Sequence, residues 1–215
     1  MKKNSESLHA PIKRGRPLDE TKQEKILDVA ACLFLKNGFH ATSMDDIAAE
    51  ASMSKLTLYR RFPDKNALFV AVIECKCQEY VPDEIFSVFD VETPRSALFT
   101  VGKAFFSLIL SDDAIGMYRM MAAEASHNPA LTQLFYDTGP KRVKSLMTEK
   151  IAQLAASEGM HIPNPEEAKN FFIALFTGAD IYMRRLLNIA PLATEASIIE
   201  YVDTVTDLFM RQYGV

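Results

Sequence analysis

No stretch of this 215-residue chain is apolar for long enough to cross a bilayer. The most continuous apolar run, residues 104–110, falls far short of the roughly 20 residues that a helical span requires. The polar first residues also lack the apolar core of a secretory signal, so the expected location is the cytoplasm, with no membrane partner. Catalytic signatures are missing too. There is no nucleophilic-serine motif, no phosphate-cradling glycine loop and no zinc spacing, and we expect neither an enzyme nor a cofactor. No segment carries a convincing strand pattern and no internal repeat is visible, which leaves an all-α fold. Cysteine is scarce. Cys32 is expected in the core, on the apolar face of the first helix. Cys75 and Cys77, two apart on one helix, point roughly 200° apart and cannot readily bond each other or share a metal. A thiol-responsive function stays open as an alternative.

What is present divides unevenly. A hydrophobic content of 48% suffices for a buried core, and the length suits one small and one larger domain. Residues 1–80 carry 13 Lys and Arg against 11 Asp and Glu, while residues 81–215 carry 11 against 17, so a net charge of −4 hides a slightly basic head on an acidic body. A head of this kind can meet an anionic polymer through local patches while the body stays clear of it. Such binding should weaken with salt.

Residues 43–62, SMDDIAAEASMSKLTLYRRF, carry the strongest local signal. Ser43 and Asp46 form a capping box that starts a helix, whose apolar face holds Ile47, Ala48 and Ala51. Ser52-Met53-Ser54 interrupts, and Ser54 suits a second N-cap. The second helix runs to about Phe62, where Pro63 stops it. Leu58 and Phe62 share its packing face, while Leu56 and Arg60 point the other way with Thr57 and Tyr59 flanking. Two short helices joined by a tight turn, the second ending Tyr59-Arg60-Arg61, form a helix-turn-helix suited to the major groove. Upstream, Lys13-Arg14-Gly15-Arg16-Pro17 reads as a flexible basic arm, with Arg14 and Arg16 fit for a narrow minor groove.

Residues 24–73 resemble the DNA-binding domain of the tetracycline-repressor (TetR) family of bacterial transcription regulators. The resemblance rests on a helix ending in Asn37-Gly38-Phe39, a Thr42-Ser43 start, Asp46-Ile47-Ala48, Ser54-Lys55, Thr57-Leu58-Tyr59, Phe62 and Lys65. It implies that Ser43 holds a phosphate, that Lys55, Leu56 and Thr57 face bases, and that Tyr59, Arg60 and Arg61 grip the backbone. Lys65, behind its cap Asp64, would add a phosphate contact, and Gly38 would end the first helix in the left-handed conformation. Ser52 and Leu56 depart from the pattern, standing where many relatives carry glycine. Ser52 should strain the turn slightly, and Leu56 points to a different base preference, such as a thymine methyl. Residues 119–142 similarly resemble the ligand domain of AefR-like members.

The rest reads as helices over about 64–80, 94–111, 114–127, 129–157 broken near Gly139-Pro140, 165–188 and 194–212, making about nine in all. The expected organisation is an arm (1–17), a helix-turn-helix domain (18–63), a connecting helix (64–80) and a helical ligand-binding and dimerisation domain (81–215). The resemblance implies a homodimer built on the last two helices, and apolar positions there supply the candidates Phe171, Leu175, Tyr182, Leu186, Ile198, Val202, Val205 and Phe209. Two-fold symmetry would set two reading helices about one DNA turn apart on an imperfect palindrome. It also implies a small-molecule effector. Candidate lining residues are Phe105, Phe106, Ile109, Met117, Tyr118, Met121, Phe135, Phe172 and Phe176, with Glu124 and His127, and beside them Arg119 and Asn128, to orient the ligand. The expected function is therefore a repressor released from its operator by a small apolar or amphipathic ligand. Glu124 and His127, three apart, raise one enzymatic alternative, a metal site in a helical bundle; it lacks a second copy at matching spacing.

Overall fold

The computed structural model describes residues 18–90, 92–189 and 194–215, so Arg14, Arg16 and the rest of the expected arm lie outside the described residues. In chain order come α1 (Leu18–Asn37), α2 (Met44–Glu50), α3 (Lys55–Arg61), α4 (Lys65–Tyr80), a 3-10 helix (Asp83–Asp90), α5 (Pro94–Leu110), α6 (Asp112–Glu124) and α7 (Pro129–Thr138). They are followed by α8 (Pro140–Leu154), α9 (Pro165–Thr177), α10 (Asp180–Leu186) and α11 (Glu195–Tyr213). The all-α expectation holds among the described residues, where the one extended feature is an isolated bridge between Met160 and Gly214. Among the described residues eleven α-helices replace about nine because 129–157 divides at Gly139, as expected, and 165–188 divides at Gly178-Ala179, which was not. Local chemistry sets most starts: the side chains of Ser43, Ser54, Asp64, Thr93, Ser111, Asn128, Asn164 and Thr194 each accept a first-turn amide.

The head closes on an aromatic cluster. Gly38 ends α1 at φ +83°, turning the chain so that Phe39 packs against Phe34 and Phe69 with ring centroids 5.5 and 5.2 Å away. Ile47, Leu58 and Leu68 are fully buried beside it. On α1 the buried positions are Ile26, Leu27, Ala30, Ala31 and Phe34, so the opposite stripe, Asp28, Cys32 and Lys36, meets solvent. The expectation for Cys32 is thereby corrected. It follows Ala31 by one helical step of about 100° and is turned off the packed face.

In the body, α5 is the central rod. It buries residues around most of its circumference, from Ala97 to Leu110, because α4, α6, α11 and the 3-10 helix all pack on it. Gly102 makes this possible, since a Cβ there would come within 3.1 Å of both the Phe172 and Phe176 rings. Val202, Val205 and Phe209 of α11 fill the groove opposite and are essentially inaccessible. Their assignment to a subunit interface is corrected, because a side chain already enclosed within one chain has no surface left for a second.

Candidate functional site

The α2–α3 unit is assembled by local bonds. The Ser43 hydroxyl accepts from the Asp46 amide at 3.1 Å, and the Asp46 carboxylate accepts from the Ser43 amide at 3.1 Å. The carboxylate also accepts a hydrogen bond from the Ser43 hydroxyl, and these bonds hold the Asp46 carboxyl below its ordinary pKa. Ser43 is therefore engaged in its own capping box. Between the helices Ser52 sits at φ +57°, a left-handed conformation costly for a side chain, as the missing glycine implies. The Ser54 hydroxyl caps α3 through the Thr57 amide (3.2 Å) and bonds the Thr57 hydroxyl (2.8 Å), so Thr57 is half-buried.

On α3, Leu58 is fully buried while Leu56 is 72% and Tyr59 46% exposed, with Arg60 exposed beside them. Lys55 bonds the exposed Asp45 at 2.6 Å, and Arg61 donates to Gln23 of α1 at 3.3 Å. Ser43, Lys55, Leu56, Tyr59 and Arg60 are thus exposed on the same two-helix unit. Lys65 is different. Its ammonium donates to the Phe39 (2.7 Å), His40 (3.3 Å) and Thr42 (2.9 Å) carbonyls and lies 4.4 Å from the Phe39 ring centroid. Partial burial draws its pKa below the usual lysine value, while the carbonyl dipoles favour its charge. In this geometry it pins the start of α4 to the loop before α2, a role that sequence reasoning missed because its partners lie 23–26 residues away.

A cavity of about 190 Å³ opens between α4, α5, α6, α7, α8 and α9. Of the expected ligand residues, Phe105, Ile109, Met117, Tyr118 and Phe135 line it, and so does Tyr182, which was expected at the dimer interface. Phe106, Phe172 and Phe176 do not; they are buried in the core around α5, α9 and α11, and Met121 is buried elsewhere. The expected polar ligand groups are corrected as well. Glu124 accepts from the His40 ring at 3.0 Å, His127 is exposed, and Asn128 caps α7. Arg119 donates to the Leu186 and Arg185 carbonyls at the end of α10. Among the described residues no three His, Cys, Asp or Glu side chains converge as a metal would require.

Sequence reasoning also missed Lys76. On α4, and lining the cavity, it lies 3.0 Å from Glu79, 3.2 Å from Asp113 of α6 and 3.9 Å from Asp28 of α1. Burial works against its charge, but Glu79 and Asp113 outweigh it and raise its pKa. Cys77 also lines the cavity, its thiol pushed up by burial, whereas Cys75 faces a groove between α1 and α4. The helices around the cavity pack closely: a Cβ at Gly116 of α6 would lie 2.6 Å from Leu35 of α1, and one at Gly139 3.0 Å from Ile73 of α4.

Comparison with known proteins agrees with this architecture. A family model described as the C-terminal domain of AefR-like transcriptional repressors matches residues 96–215, and one described as bacterial regulatory proteins of the tetR family matches residues 26–72. The uncharacterized HTH-type transcriptional regulator YdeS of Bacillus subtilis is 39% identical over 88 residues, 40% of this chain and 44% of YdeS. The chain spans less than half the length of the curated relatives it matches. A TetR-family regulator from Mesorhizobium loti superposes with a TM-score of 0.77 at 19% identity, covering 93% of this chain and 100% of that one. The flavonoid-responsive regulator FrrA gives 0.70 at 28% identity, covering 91% and 98%.

Proposed function

The chain belongs to the TetR family of bacterial transcriptional regulators, and on that premise we propose that it is an operator-binding repressor, released when a small ligand enters the cavity beneath α4. The observation that carries the DNA-binding half is the outward face of α3. A leucine 72% exposed and a tyrosine 46% exposed stand beside Arg60 on a helix whose other face is sealed by Leu58. Large apolar groups held out in water on so short a helix are surface for a partner. Arg60 and the hydroxyl of Tyr59 suit phosphates, and Leu56 suits a thymine methyl. Lys55 can exchange Asp45 for a base edge or phosphate. We assign residues 18–63 to the reading head, 64–80 to the connecting helix, and 81–215 to ligand binding and pairing.

Release requires that ligand favour a conformation with misplaced heads. Ile73, Lys76 and Cys77 of α4 form one wall of the cavity, and the same Lys76 neighbours Asp28 of α1, so a ligand that pushes on this wall acts on the head. The similarity to a flavonoid-responsive regulator supports a small effector. A homodimer is supported by apolar groups left exposed on the late helices: Phe171, already expected there, with Ile199 and Leu208 taking the place of the enclosed Val202, Val205 and Phe209. Selection of genomic fragments followed by footprinting tests the reading. An imperfect palindrome protected on both halves, and lost when Tyr59 and Arg60 are replaced by alanine, is the expected result; no enrichment above non-specific DNA refutes it.

A further inference from the structure

The polar groups lining the cavity divide into those already satisfied and those not. The Ser111 hydroxyl donates to the Leu108 carbonyl at 2.8 Å, the Thr177 hydroxyl donates to the Ile173 carbonyl at 3.1 Å, and Asp113 is paired with Lys76. The Tyr118 and Tyr182 hydroxyls and the Lys144 ammonium have no hydrogen-bond acceptor or carboxylate among the described residues. The Lys144 ammonium lies 5.4 Å from the centroid of the Tyr136 ring. Burial pushes both lining phenols up, so each stays a donor at neutral pH. Tyr118, Tyr182 and Lys144 all line this one cavity. A cavity lined by phenol donors and an ammonium suits an acceptor bearing negative charge.

The surroundings of Lys76 repel one. Lys76 already faces Asp28, Glu79 and Asp113, a surplus of negative charge. Most of the remaining lining is apolar, with the Tyr118 and Phe135 rings edge to face at 5.4 Å and Phe105 beside them in the lining. Cavities of about 150 Å³ take up benzene, so about 190 Å³ accommodates one ring with a short substituent. We propose that the effector is a small aromatic weak acid, a single ring bearing a carboxylate on a short arm, held through Lys144 with Tyr118 and Tyr182 donating to it. The ring then packs against Phe105 and Phe135, towards the α4 wall. This rests on the reading of the cavity as the effector site.

Calorimetry on the full chain with phenylacetate, phenylacetamide and phenethylamine separates charge from shape. Phenylacetate is expected to bind at least about tenfold more tightly than either of the others, and Lys144→Met to abolish that preference while leaving the amide's affinity in place. Tyr118→Phe should weaken the acid more than the amide. Amide or amine binding as tightly as the acid would overturn the proposal and leave the cavity as a ligand site. No binding by any of the three, to protein shown folded by circular dichroism, would overturn it together with the assignment of this cavity.

Discussion

Replacing Lys65 by methionine separates two roles that the same lysine could play. The resemblance to the TetR family implies a phosphate contact, whereas the structure spends the ammonium on the Phe39, His40 and Thr42 carbonyls and the Phe39 ring. Hydrogen bonds from a charged donor contribute about 1.5–3 kcal/mol each, but three that share one ammonium do not add. The ring contact adds about 0.5–1 kcal/mol, and losing the partly buried charge returns some desolvation cost. A net loss of about 2–3 kcal/mol follows. For a chain of this length that lowers Tm by roughly 4–12 °C. Operator affinity falls too, because the loop before Ser43 loses its anchor, yet the slope of log K against log salt stays as it was. A lysine on a phosphate behaves in the opposite way: its removal reduces that slope by about 0.9 and leaves Tm nearly unchanged. Thermal melts and a salt titration of operator binding, with Arg60→Ala as the phosphate-type control, decide the matter. A Tm within about 1 °C of the parent, together with a slope reduced by nearly one, would refute the bracing role.

Four further outcomes are expected. Ser52→Gly relieves the left-handed serine, a cost of about 1–2 kcal/mol, against an unfolded-state cost of about 0.5–1 kcal/mol. Stability should rise by about 0.5–1 kcal/mol, or 1–4 °C, and an unchanged or lower Tm would show that the turn is unstrained. Asp45→Asn removes a carboxylate from the reading surface and frees Lys55, so DNA affinity should rise about two- to fivefold at low salt and converge with the parent at high salt; a fall would mean that Asp45 itself orients the reading helix. Iodoacetamide near pH 8 should modify exposed Cys32 first. Burial raises the Cys75 and Cys77 pKa values, so their thiolates form only at higher pH and they should react later; early modification of Cys77 by mass spectrometry would contradict its enclosure. Finally, Ile199→Glu with Leu208→Glu should yield monomers by light scattering while Tm by circular dichroism shows the fold kept, and a persistent dimer would place the interface elsewhere.

Sequence alone settled features that rest on bonds between near neighbours. The Ser43–Asp46 capping box, the Ser54 cap, the left-handed Gly38 and the buried face at Leu58 span four residues or fewer, so the order of residues suffices to specify them. The all-helical fold and the family followed from the same short-range patterns. Helical periodicity, however, states only that a stripe is apolar and not what covers it. Val202, Val205 and Phe209 looked available to a second subunit until α5 was seen to occupy their groove. Adjacent Phe105 and Phe106 went to a cavity and to the core respectively, a choice made by the rotation of α5 among its neighbours. The partners of Lys65, Arg119 and Glu124 lie 23 to 84 residues away in sequence, and Lys76 reaches Asp28 and Asp113 on two other helices. Such pairings depend on where whole helices come to rest, which packing of the entire chain decides, and so the exposed face of α3 and five of the cavity's lining residues were legible in sequence while the Lys76 contacts that tie the cavity wall to α1 were not.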